Sequence, residues 1–310
     1  MDSAFYIAIL TAAITAGTPL LYAALGELLA ERSGVLNLGV EGMMLVGAVA
    51  GFLTTVATAN LWLGVASAML AGGALAFVHA FLSITMRANQ VVTGLALTIF
   101  GTGISSLIGR RLIGVPLPIT FSDTPLPFLS ELPIIGTVFF RHDPLVYLSY
   151  LLVPLVWVFL YWTRVGQNFV AVGEDPAAAD AVGINVNLVR YIGVIIGGML
   201  AGLAGAYLTL ALAPVWLDGM TAGRGWIAIA LVIFATWNPI RAMFGAYLFG
   251  GVAALGFRIQ ILGWPISPFY LQMMPYIFTI LVLIFVTYQG RARKLGAPAA
   301  LGLHYDREDR

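Results

Sequence analysis

The sequence contains no cysteine, which excludes disulfides, thiolate metal ligands and a cysteine nucleophile together. Lysine is almost missing too, Lys294 being the sole example. No G-x-x-x-x-G-K-[ST] stretch exists, so this chain lacks the phosphate-binding loop with which a protein hydrolyses ATP. The three histidines, His79, His142 and His304, are scattered. They lack the H-x-x-x-H spacing of a catalytic zinc site. Charge of either sign is scarce: Asp, Glu, Lys and Arg make up 9% of 310 residues, against roughly 25% in a soluble domain. With a net charge of +1 and no basic run, nucleic acid is not an expected partner. What is abundant is apolar sequence, 60% of residues, with a mean hydropathy of +0.96. The class implied is an all-α polytopic membrane protein.

About nine hydrophobic spans are expected, forming a single transmembrane domain over 1–310. They run about Phe5–Leu29, a second starting at Asn37, then Trp62–Met86, Val91–Ile108, Leu145–Trp162, Tyr191–Leu212, Trp226–Trp237, Ala242–Phe257 and Leu271–Tyr288. The seventh falls short of the ~20 residues a crossing needs; it reads as tilted, re-entrant or extended through Gly223. Between the fourth and fifth spans, Leu112–Asp143 carries Pro116, Pro118, Pro125, Pro127 and Pro133 and reads as an extramembrane loop. The N-terminus lacks the basic region of a secretory signal, so the first span is expected to be retained. The tail, 289–310, is short and charged.

Lys and Arg placement orients the chain. With nine spans, Arg32, Arg87, Arg164, Arg190, Arg241, Arg291, Arg293 and Lys294 fall on one side, and Arg110, Arg111, Arg141, Arg224 and Arg258 on the other. The excess puts the C-terminus inside and the N-terminus outside.

A polar island from Arg164 to Arg190 interrupts the apolar sequence. Gly173-Glu174-Asp175-Pro176 reads as a turn and helix start, with Asp175 as cap and Pro176 at the first helical position. Ala177, Ala178, Ala179, Asp180, Ala181 and Val182 continue it, and Gly183 closes it. Such a short capped helix with small side chains is shaped to be gripped by another protein. Within the spans, polar residues are costly and mark candidate sites. Glu41 lies just inside the second span, with Asn37 one turn before it on the same helical face. Gln90 and Thr93 open the fourth, next to Asn89, while His79 reads as a satisfied buried histidine. Trp216, Trp226, Trp237 and Trp264 read as an interfacial belt, any one of which could instead stack on a planar solute. Asn238 adds an amide. The glycines of GGMLAGLAG (Gly197, Gly198, Gly202, Gly205) are spaced for close helix packing.

ERSGVLNLGVEGMMLVGA, VGEDPAAADAVGINVNLVRYIGVIIGGMLAGLAGAYL and GMTAGRGWIAIALVIFATWNPIRAMFGAYLFG resemble the permease subunits of bacterial ABC importers. The resemblance is nearest to the branch for simple sugars and nucleosides, related to ribose and branched-chain amino-acid permeases. It spans nearly the whole chain and is most like the shorter permease of nucleoside importers. Asn37, Gly39, Glu41 and Gly42 match that branch's N-x-G-x-E-G, and Trp237-Asn238-Pro239 matches its pattern; Ala235-Thr236 departs from it. The resemblance implies a type II-like importer permease fold in the plasma (inner) membrane. It also implies a cytoplasmic coupling helix at about 174–183, with Gly173, Glu174, Asp175, Pro176, Ala178, Asp180 and Gly183 meeting an ABC ATPase. That ATPase hydrolyses ATP with Mg. The further partners are a second, nonidentical permease and an extracytoplasmic substrate-binding protein. Half of a nucleoside path would then be lined by Asn37, Glu41, Gln90, Thr93, Trp226 and Asn238. A monosaccharide is the alternative cargo, and an ion-coupled secondary transporter built on Glu41 the distant alternative.

Overall fold

A computed structural model describes residues 3–261, 266–288 and 296–306. In chain order its helices are α1 (Ser3–Arg32), α2 (Val40–Thr58), α3 (Leu61–Ala80), α4 (Gln90–Gly109), α5 (Ile135–Phe139), α6 (Pro144–Trp162), α7 (Arg164–Glu174), α8 (Pro176–Ala181), α9 (Val186–Tyr207), α10 (Arg224–Phe234), α11 (Pro239–Ile261) and α12 (Pro268–Tyr288). Single π turns, Phe81–Thr85 and Leu208–Leu212, extend α3 and α9. No strand occurs among the described residues. Among the described residues, seven helices are long and apolar enough to cross a membrane: α1, α2, α3, α4, α6, α9 and α11. Of the two remaining expected spans, α10 has 11 residues, and α12, with 21, carries an apolar stretch at Phe269–Leu281.

Most helix starts follow directly from capping residues. Asn60, Asn89, Asp143, Thr163, Asp175 and Asn185 each accept backbone N–H bonds from the first turn that follows, as short polar side chains do at N-caps. The island departs from expectation in one respect. Arg164–Glu174 is itself a helix, so Glu174 ends α7 rather than preceding the first turn of α8. Its signal is the burial of Gly166, Phe169, Val172 and Gly173 at helical spacing.

Helices α1 and α9 form the centre of the bundle, α9 packing on α1, α2 and α3, and α1 on α10 and α11. Small residues set this closeness. A Cβ on Gly26 would stand 2.4 Å from the Gly197 carbonyl oxygen, and one on Gly47 would stand 2.4 Å from Gly202 Cα. Gly47→Leu is therefore expected to wedge α2 from α9 at a cost of about 1–3 kcal/mol. An unchanged melting temperature in detergent would show that the helices can part freely.

The second span starts later than the sequence implies. Asn37 precedes α2, in the connection from Ser33 to Gly39, so it shares no helical face with Glu41. That connection runs alongside α4. Gly94 abuts Leu38, and Gly42 abuts Leu97 and Thr98, about 11 Å along α4 from Gln90 at 1.5 Å per residue. Helix α2 thus begins inside the bundle.

Trp216 and Trp237 do not stand in an interfacial belt. Trp216 is 1% exposed, packed with Phe52 and Leu112 beneath Gly109, and Trp237 is buried as well. Trp226 is 37% exposed; Trp264 lies outside the described residues, as do Arg291, Arg293 and Lys294.

The chain from 296 to 306 returns as a strap across the end of the bundle where α1 finishes. Ala300 N donates to Gly173 O at 2.9 Å, Gly302 N to Gly34 O at 3.2 Å, and Arg190 Nη1 to Leu303 O at 3.1 Å. Arg32 Nη1 donates to Gly296 O at 3.1 Å, and Arg87 pairs with Asp306. Ending the chain at residue 295 would orphan these groups. The expected result is a melting temperature several degrees lower, measured on the purified protein.

Candidate functional site

Glu41 stands where two helices begin. It lies in the first turn of α2, and its carboxylate accepts bonds from the opening of α10: Thr221 Oγ1 at 2.6 Å, Gly223 N at 2.8 Å and Gly225 N at 2.6 Å. The side chain is 7% exposed. A helix start leaves backbone N–H groups without partners and carries the positive end of the dipole. A single carboxylate at the start of α10 answers both. Gly225 is required by contact, because a Cβ there would lie 2.6 Å from both Glu41 Cα and Glu41 N. Arg224 is accordingly not in a loop facing water, as its place in the charge count implied. It opens α10 inside the bundle, and its Nη1 donates to Met220 O at 3.1 Å and to Thr221 O at 3.0 Å.

The turn that Glu41 fixes forms the wall of a cavity of about 1430 Å³. Helices α1, α11 and α12 enclose it, with α5 and the end of α9 at its rim, toward the end of the bundle where α1 begins. Its polar groups are Thr11, Thr15, Thr137, Arg224, Arg258, Gln260 and Tyr276. Tyr276 donates its hydroxyl to Ala222 O, tying α12 to the same turn. Thr11 and Thr15 donate to backbone carbonyls of α1. No acidic side chain lines the cavity among the described residues. Apolar walls with a few convergent donors suit a neutral, oxygen-rich solute far better than a cation.

None of the six residues expected to line a path lies on this cavity. Three of them hold the α1–α2 connection instead, Gln90 and Asn37 directly and Thr93 through His79. Gln90 Oε1 accepts from Leu36 N at 2.8 Å, Asn37 Oδ1 from Gly39 N at 2.9 Å, and Thr93 Oγ1 lies 3.3 Å from His79 Nδ1. His79 Nε2 in turn lies 3.1 Å from Leu36 O, so the histidine is a satisfied buried one. Asn238 caps α11 through bonds from Ile240 N and Arg241 N. Glu41 reaches the cavity only through the turn it holds, and Trp226 lies within the first turn of α10.

At its other end α10 meets the last turn of α1. Trp237 Nε1 donates to Glu31 Oε2, and Arg32 donates to Trp237 O through Nε at 3.3 Å and Nη2 at 3.1 Å. Glu27, one turn earlier, accepts from Asn37 N at 2.9 Å. Both carboxylates are 1% exposed. Glu27, Glu31 and Arg32 stand out in the sequence as the charged end of the first span, and acidic residues four apart on an apolar helix are a recognisable signal, but only the fold gives them partners. The same end carries α7 and α8. Gly173 is buried, where a Cβ would meet Arg32 O at 2.3 Å, and Glu174 Oε2 accepts from Ala299 N at 3.4 Å. Asp175 Oδ1 accepts from Ala178 N at 2.9 Å, and Pro176 opens α8. Gly183 has φ +88°, the left-handed conformation of a helix stop. Glu174, Asp175, Ala178, Val182 and Gly183 are exposed, and Asp180 is half-buried.

Long apolar helices around a solute-sized cavity, with a polar platform at the far end, define a multi-pass membrane transport protein. The family model described as branched-chain amino acid transport system / permease component matches residues 9–287, and the chain belongs to that family. It is 45% identical to the putative glucose ABC transporter permease protein TsgC13 of Haloferax volcanii, over 98% of this chain and 99% of that one. It is 36% identical to the guanosine ABC transporter permease protein NupQ of Bacillus subtilis, over 96% of each. The nucleoside ABC transporter permease protein NupC of Lactococcus lactis is 34% identical over 93% of each. Each of the first two organisms holds a second, more distant match, TsgB13 at 26% over 81% of this chain and 70% of that one, and NupP at 24% over 90% and 83%.

Proposed function

We propose that this chain is one of two membrane subunits of an ATP-binding-cassette importer and forms half of the path for a nucleoside. The observation that carries this reading is α10. This short helix starts at the cavity, on the turn held by Glu41, and the turn that follows it rests on Glu31 and Arg32 through Trp237, beside the platform bearing α7 and α8. Eleven residues make a rod about 16 Å long. A displacement of the platform is thereby passed to the cavity without unwinding any helix. In this reading α8 is the coupling helix, seated on a separate ATPase that hydrolyses ATP with Mg and drives alternating access. The platform and strap face the cytoplasm, and the N-terminus and the 112–143 segment face an extracytoplasmic binding protein. The second permease is nonidentical, as the paired permeases of Haloferax volcanii and Bacillus subtilis favour. Tyr276 and Phe257 on the cavity wall supply aromatic surface for a nucleobase. A monosaccharide is the second reading, favoured by the 45% identity to a putative glucose permease.

Uptake of labelled guanosine and labelled glucose, in cells lacking and then regaining this chain, separates these readings. Import of one solute that depends on the chain, needs ATP and survives collapse of the proton gradient is the expected result. Uptake that persists without ATP and collapses with the gradient would overturn it in favour of ion coupling.

A further inference from the structure

The cavity holds one cation whose placement is fixed by the fold rather than by a salt bridge. Arg224 is the first residue of α10, and its recorded hydrogen bonds all use Nη1, to Met220 O and Thr221 O. Both carbonyls belong to the turn that Glu41 anchors through Thr221 and Gly223. A guanidinium carries five N–H donors in a rigid plane. With Nη1 engaged on the backbone, Nε and the two hydrogens of Nη2 remain as a fixed fork beside the cavity that Arg224 lines. The second cation there, Arg258, lies with its guanidinium carbon 6.0 Å from the centre of the Phe5 ring, and Thr11 and Thr15 spend their hydroxyl hydrogens on α1 carbonyls. Tyr276 spends its own on Ala222 O. Arg224 is thus the guanidinium on that wall that backbone hydrogen bonds hold in one orientation, and the threonine and tyrosine oxygens remain as acceptors.

We propose that Arg224 is the solute-orienting residue of this importer, gripping adjacent hydroxyl oxygens of a furanose or pyranose ring, and that Glu41 is its positioning residue. This rests on the import reading. It adds that recognition in the membrane is directed at the sugar moiety, which nucleosides and monosaccharides share. A fixed donor fork rejects a ring lacking one of the paired hydroxyls, because the donors it leaves unpaired are costly.

The test uses the assembled transporter in vesicles, with guanosine or glucose as labelled probe according to which one the native complex imports. Single-deoxy analogues serve as competitors. The native protein should discriminate against at least one deoxy position by about tenfold or more. Arg224→Gln should raise KM about tenfold, leave the maximal rate within about threefold, and erase that discrimination. Arg224→Lys, which keeps the charge but loses the fork, should erase it equally. Glu41→Gln should shift the same discrimination, and the double variant should add little, since the two residues act as one unit. Modification of Arg224 by phenylglyoxal in the native complex, read by mass spectrometry, provides a measurement that needs no variant: the imported probe should protect it. Discrimination intact in Arg224→Gln, or no protection of Arg224 in a complex that imports the probe, would sink the proposal. A native complex that imports neither guanosine nor glucose instead refutes the underlying import reading.

Discussion

Replacing Glu41 with leucine should cost about 2–6 kcal/mol and abolish transport. The carboxylate is the recorded partner of Gly223 N and Gly225 N at a buried helix start, and of the Thr221 hydroxyl. Each buried N–H left without an acceptor costs about 1–3 kcal/mol, and leucine offers none. Nor can water readily enter, because Gly225 lies directly against the Glu41 backbone. The start of α10 should therefore detach from α2, releasing Arg224 and the Ala222 contact of Tyr276 together. Two readings check this: the melting temperature of the detergent-purified protein, which should fall, and uptake, which should drop below a tenth of the native rate. A variant that melts and transports like the native protein would mean that the three bonds do not hold the turn. An ion-coupled mechanism makes a different forecast, in which Glu41→Gln loses gradient-driven uptake while the protein's stability stays unchanged.

The second large effect is expected at α8. Ala178, in α8, and Val182, at its C-cap, lie four residues apart and are both exposed, Val182 by 77%. Ala178→Arg combined with Val182→Glu should thus leave stability within about 0.5 kcal/mol per site, as exposed substitutions do. If α8 seats in a groove of an ATPase, the pair removes a small-sided surface and inserts bulk and charge. Transport should then fall roughly thirtyfold, the size of one interface hot spot, with stimulation of ATP hydrolysis by the loaded binding protein lost in parallel. Normal uptake and normal stimulation in this double variant would place the ATPase contact elsewhere on the platform. Gly183 is a poorer probe, because its φ of +88° makes any substitution strain the backbone.

Much of the bundle was legible because a bilayer leaves little freedom. Apolar runs gave the limits of α4, α6 and α3 with its π turn to within about one residue, α9 starts before its expected Tyr191, at Val186, and Asp175-Pro176 marked the start of α8. Helix α7 was missed because its polar residues hid an amphipathic period, with Gly166, Phe169 and Val172 on the buried face. The polar residues of the spans were found, yet how they are used was not. Asn37, Gln90 and Thr93 look alike in sequence, as polar residues near the start of a span. Gln90 and Asn37 spend their side-chain oxygens on the α1–α2 connection, which reads in sequence partly as helix, while Thr93 bonds within α4 and to His79.

The sequence by itself determined the all-helical, membrane-spanning class, the lack of a G-x-x-x-x-G-K-[ST] stretch and the small-residue spacing along α9. Each of these rests on local composition or on spacing within one helix, which chain connectivity cannot alter. The tertiary structure alone decided that α2 and α10 begin within the bundle, that one carboxylate serves the start of α10, and that Arg224 rather than Asn37 or Gln90 reaches the cavity. Those facts join residues about 180 positions apart. No periodicity within a helix records such a contact, because it is set by where two chain breaks meet and by which buried N–H groups then need an acceptor.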